Sequence, residues 1–133
     1  MDKTYRLFIS HSWAYSDGYQ KVVNLIKNQG IKFYDHSVPK NDPIHTSGSD
    51  RQLKQAIENK MRGTNCIIIM AGVYSTYSNW INKEIEIAKS YGKPIIAIEP
   101  WASSRTSAVV KNNANIIVKW QGSSIANAIR QFG

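Results

Sequence analysis

The chain has 133 residues, of which 42% are apolar, and a formal net charge of +8. That length predicts one domain over residues 1–133, with a core of ordinary size. No apolar run approaches the roughly 18 residues of a membrane helix, and Met1-Asp2-Lys3-Thr4-Tyr5 has no apolar signal region; a soluble, cytoplasmic protein that does not engage a membrane is expected.

The first strand is expected over Tyr5 to Ser10. A helix follows from Ser16 to Asn28, closed by Gly30, and a second strand spans Lys32 to Asp35. The segment His36 to Gly48 is the one long irregular stretch, and a loop of that length in a compact domain is usually functional. Ser49 with Gln52 fits a capping box for a helix ending near Arg62. The third strand, Asn65 to Ala71, is the longest unbroken apolar run, as a central strand covered on both faces should be. Asn79 can cap a helix to Tyr91, which stops at Gly92. Strands at Pro94 to Ile98 and Asn115 to Val118 follow, with a short helix near Thr106 to Lys111 and a last helix from Ser123 to Phe132. Short apolar runs alternating with helical patterns are the signature of βαβ units and a parallel sheet.

The 17 Lys and Arg are scattered. Their loosest group, Arg51, Lys54, Lys60 and Arg62, forms no basic run, which argues against nucleic acid and for a solvated surface. A positive field would still draw in an anionic pyrophosphate. The single cysteine, Cys66, excludes an intramolecular disulfide and reads as a core residue. His11, His36 and His45 lack metal-ligand spacing, so no metal site is expected. No dinucleotide-binding glycine motif or P-loop occurs.

The helix after the third strand carries two glutamates that are not equivalent. With about 100° per residue from Trp80, Glu84 falls near ~40°, inside an apolar arc holding Ile81, Ile85, Ala88 and Tyr91, while Glu86 falls near ~240° between Lys83 and Lys89. An inward carboxylate costs stability unless it is paired, hydrogen-bonded or placed at a cleft rim. In parallel sheets ligands bind beyond the carboxyl ends of the strands. That edge gathers Ser10, His11 and Trp13 after the first strand, Asp35, His36 and Ser37 after the second, and Ser78 and Trp80 at the start of the glutamate helix. These residues are the candidate binding groups around Glu84. A serine or aspartate at a strand end is equally often a turn residue, and Trp13 has a packing role as its alternative.

Leu7-Phe8-Ile9-Ser10-His11-Ser12, followed by Tyr77-Ser78-Asn79-Trp80-Ile81-Asn82-Lys83-Glu84-Ile85, resembles the TIR domain. In that family a strand ending in F-I-S opens the fold, and an S-x-W-x-x-x-E-[LI] helix carries the catalytic glutamate. With Asp35 closing the second strand and Gly72 turning after the third, the chain looks most like the short TIR-like proteins of bacterial Thoeris anti-phage defence. The segment Asp35-His36-Ser37-Val38-Pro39-Lys40-Asn41-Asp42-Pro43 lacks the R-D-x-x-P-G pattern of animal TIR adaptors, which argues against an adaptor.

The resemblance implies a flavodoxin-like or TIR-like three-layer α/β sandwich, with a five-stranded parallel sheet in order 2-1-3-4-5 and helices on both faces. It implies an NAD-cleaving enzyme, with NAD as substrate and no cofactor. The enzyme would release nicotinamide and form an ADP-ribose product, often cyclised, that reaches a separate effector protein by diffusion. Glu84 would be the catalytic residue, and Trp80 one turn before it would exclude water. Self-association is expected of the family. Two other functions fit the same sheet: a non-catalytic scaffold acting by self-association, and a nucleoside or deoxyribosyl transferase.

Overall fold

Alternating strand and helix patterns fold as β1 (Thr4–Ile9), α1 (Gly18–Asn28), β2 (Lys32–Asp35), α2 (Asp50–Met61), β3 (Cys66–Met70), α3 (Asn79–Ser90), β4 (Ile95–Glu99), α4 (Ala108–Asn113), β5 (Ile116–Lys119) and α5 (Gly122–Phe132). The computed structural model describes residues 4–10, 18–36, 50–70, 79–99 and 108–133. Every strand pairs in parallel, in the order β2-β1-β3-β4-β5. This is the α/β architecture and strand order expected. Element ends move by a residue or two from those read in the sequence, the usual uncertainty where helices and strands fray. The proposed capping residue Ser49 lies outside the described residues.

The central strands carry apolar side chains on both faces, and strict alternation sorts them. Leu7, Ile9, Cys66, Ile68, Ile96 and Ile98 join α1 and α5 in one core layer, through Val22, Ile26, Ile125 and Ile129. Phe8, Ile67, Ile69, Ile95 and Ala97 join the second layer, with Ile57 and Met61 of α2, Ile85, Ile87 and Ala88 of α3 and Val110 of α4. Cys66 is buried in the first layer as a free thiol. The sheet is therefore a wall between two apolar slabs, and the side a residue faces is set by its parity along the strand.

Asparagines pin the amino edge of that wall. Asn65, just before β3, accepts the Arg6 backbone N–H through Oδ1 at 2.7 Å and donates its own backbone N–H to the Arg6 carbonyl at 2.6 Å. Asn115, just before β5, repeats the arrangement with Ile95, at 2.9 Å and 2.8 Å. In each case the asparagine side chain makes the first rung of the ladder. This is why both strands begin one residue later than their sequence pattern predicts.

The same edge holds the end of α3. Gly92 has φ 65°, the Gly92 N–H donates to the Lys89 carbonyl at 3.1 Å, and the Lys93 N–H donates to the Ala88 carbonyl at 2.8 Å. That pair of bonds is a Schellman cap, which needs a left-handed residue and so favours glycine. Lys93 Nζ then donates to the Thr64 carbonyl at 2.9 Å, tying the turn before β4 to the turn before β3. Tyr91, expected on the apolar arc of α3, is 39% exposed. By then the helix has ended, and the Tyr91 ring lies beside the Arg62 guanidinium, 5.8 Å from its centroid.

Candidate active site

Glu84 belongs to the second turn of α3 and is fully buried. Its neighbours on the helix explain why. Ile85, Ile87 and Ala88 are buried in the second core layer, and they span an arc of helix surface with Glu84 inside it. Glu86, Lys89 and Asn82 are exposed, so α3 places one glutamate against the protein and the other in water, as expected from the sequence. A buried carboxylate is tolerated when polar neighbours meet it, and Glu84 takes part in such interactions.

The expected binding residues divide by strand parity. Ser10 follows Phe8 by two residues, and its backbone N–H continues the ladder to the Ile68 carbonyl at 2.9 Å. Its side chain therefore shares the Phe8 side of the sheet, the side of α2 and α3, and it is fully buried there. His36 continues the ladder in the same way, donating its backbone N–H to the Leu7 carbonyl at 2.8 Å. It follows Tyr34 by two, and Tyr34 is the register partner of Arg6, which itself precedes Phe8 by two. The Arg6 guanidinium sits 5.8 Å from the Tyr34 ring centroid, so these side chains share one face. His36 thus belongs to the α2 and α3 side as well.

Asp35 does not. It is the register partner of Leu7 and follows Phe33 by two, and both of those residues belong to the α1 and α5 layer. Asp35 is exposed on the edge strand, on the opposite face from Glu84. The structure brings Ser10 and His36 to the side of Glu84 and separates Asp35 from it. The signal was available in the sequence, because a period of two puts Asp35 with Phe33 and His36 with Tyr34. His11, Trp13, Ser37 and Ser78 lie outside the described residues. Trp80 lies in the first turn of α3, and its side chain is likewise outside the description.

The His36 side chain carries a buried polar atom to this side. The His36 Nε2 is buried and has no hydrogen-bond partner among the described residues, in a side chain that is itself only part-buried. Buried polar atoms nearly always have partners. Among the described residues no group of three or more His, Cys, Asp or Glu side chains is arranged to hold a metal ion. No helix among them is long and apolar enough to cross a membrane.

The family model for the TIR-like domain of Thoeris protein ThsB matches residues 8–105, more than half of the chain. The chain belongs to the Thoeris ThsB TIR-like family. The stretch of this TIR-like chain that the family model matches contains Ser10, His36 and Glu84, and it ends before β5 and α5. Solved structures share the fold. The CMP N-glycosidase BcmB of Clostridium botulinum is 14% identical with a TM-score of 0.55, the match covering 94% of this chain and 98% of that one. A 3-dehydroquinate dehydratase-like protein from Bifidobacterium longum is 7% identical with a TM-score of 0.51, covering 99% of this chain and 95% of that one. No curated protein matches the TIR-like chain.

Proposed function

We propose that this TIR-like chain cleaves NAD between nicotinamide and ribose, with Glu84 as the catalytic residue. The observation that carries the reading is the complete burial of Glu84 on the inward arc of α3, in a chain of the Thoeris ThsB TIR-like family. The C1′–N bond breaks with its electron pair passing to the nicotinamide nitrogen, which loses its positive charge and leaves neutral. No strong acid is needed. The ribose carbon becomes cation-like, and a carboxylate in a partly desolvated place stabilises that charge or orients the ribose hydroxyls. Water then attacks C1′ and gives up a proton, forming ADP-ribose. Attack by a group of the adenosine half closes a ring instead.

In this reading the product is a diffusible signal for a separate effector, the protein acts in the cytoplasm as part of anti-phage defence, and self-association brings it to its active form. NAD is the substrate and no cofactor takes part. Incubating the purified protein with NAD and following nicotinamide and ADP-ribose products by mass spectrometry tests the reading. Glu84→Gln is expected to abolish most of the release. Full activity of that variant would refute the assignment, and wild-type inactivity in every oligomeric form would favour the scaffold.

A second reading is supported by the likeness in fold to an enzyme described as a CMP N-glycosidase. Cleavage of a nucleoside monophosphate breaks the same kind of bond and makes the same demand on Glu84. Offering CMP and free nucleosides beside NAD separates the two.

A further inference from the structure

Glu84 and His36 stand on the same side of the sheet but at different places across it. A right-handed crossover from β3 to β4 puts α3, and with it Glu84, over those two strands. His36 closes β2, with β1 between. With strands about 4.8 Å apart, β2 and β3 are separated by roughly 10 Å. Ser10, at the end of β1, falls in the gap. These three residues reach across two strand spacings, a span that suits an elongated ligand held at both ends.

We propose that His36 holds the half of the dinucleotide remote from the cleaved bond, through a hydrogen bond between its Nε2 and an oxygen of the adenylate portion. The inference rests on the NAD reading above. The buried Nε2 with no partner among the described residues is the atom that makes the bond. A ring nitrogen suits the task because it donates to a phosphate oxygen as a neutral N–H and meets a hydroxyl in either tautomer. Its place is fixed by the backbone bond from the His36 N–H to the Leu7 carbonyl at 2.8 Å, which anchors the residue to β1. Binding energy gained at this distance from the reacting carbon draws a dinucleotide in preference to a mononucleotide.

Truncating the substrate tests this directly. Wild type, His36→Phe and His36→Gln are compared with NAD and with nicotinamide mononucleotide, which has the same scissile bond and no adenylate half. His36→Phe is expected to raise KM for NAD about tenfold and to leave KM for the mononucleotide unmoved. His36→Gln, whose amide nitrogen stands close to the place of Nε2, is expected to recover most of the loss. An equal rise for both substrates, or a fall in kcat with no change in KM, would overturn the proposal. Titrating ADP-ribose while following the 15N resonance of His36 Nε2 keeps this question apart from catalysis. A shift at His36 without any NAD turnover would sink the NAD-cleaving reading and leave the binding role standing. An unmoved resonance at saturating ADP-ribose refutes the binding role, whether or not the variants fold.

Discussion

Glu84 and Glu86, two residues apart on α3, lie on opposite sides of the helix, the first wholly buried and the second exposed. Each is therefore the control for the other. Replacing Glu84 by Gln keeps the shape and removes the charge, and should cost about 3 kcal/mol in the barrier to nicotinamide release, or a hundredfold or more in kcat. Glu86→Gln should leave kcat within about twofold. Steady-state release of nicotinamide, with thermal melting to show that both variants fold, decides the matter.

Ser10 and Asp35 allow a comparison across the sheet. Both close a strand at the carboxyl edge, but Ser10 is buried on the side of Glu84 and Asp35 is exposed on the other. Ser10→Ala should therefore reduce NAD turnover by a larger factor than Asp35→Ala, measured in the same assay. The reverse order would mean that the ligand lies on the α1 and α5 side, and the site would have to be redrawn.

The two asparagine pins make a prediction about stability alone. Asn115→Ala takes the acceptor from the backbone N–H of Ile95, a buried residue, whereas Asn65→Ala takes it from the backbone N–H of Arg6, an exposed one. Water can replace the second more readily than the first, so losses of about 1.5 and about 0.5 kcal/mol are expected. The pins share no residue, and the double variant should show a nearly additive loss. Urea unfolding of the three variants reads all of these values.

Glycine positions supply the fourth prediction. Gly92 has φ 65°, where a side chain is strained, whereas a Cβ at Gly63 would meet nothing within 4 Å and the backbone there has no positive φ. Gly92→Ala should destabilise by about 1 kcal/mol and lower Tm by a few degrees. Gly63→Ala should be neutral or slightly stabilising, because it only restricts the unfolded chain. Calorimetry of the pair checks the sign of each.

Much of the fold was legible in the sequence because apolar periodicity and helix stop signals agreed. The run Cys66-Ile67-Ile68-Ile69 reads as a central strand for the reason that it is one, with side chains buried on both faces. Gly30 and Gly92 read as helix stops and do sit in the left-handed region. The inward turn of Glu84 followed from helical phase alone. What periodicity over the whole segment did not separate was the face taken by each residue of a short, half-exposed edge strand. Asp35 and His36 are adjacent and polar, and they divide only when the period of two is counted residue by residue from Phe33 and Tyr34, a parity that the register with β1 bears out. Tyr91 was misplaced for a related cause, since helical phase was extended one residue past Ser90, where α3 ends.

The pins at Asn65 and Asn115, the Gly92 cap and the tie from Lys93 to Thr64 all brace the amino edge of the sheet, the edge opposite Ser10, His36 and the start of α3. The bracing contacts and the proposed site thus lie at different ends of the same strands. Residues at the carboxyl edge can therefore vary while the braced edge keeps the strands in register, so a change of ligand preference there need not be accompanied by a new fold.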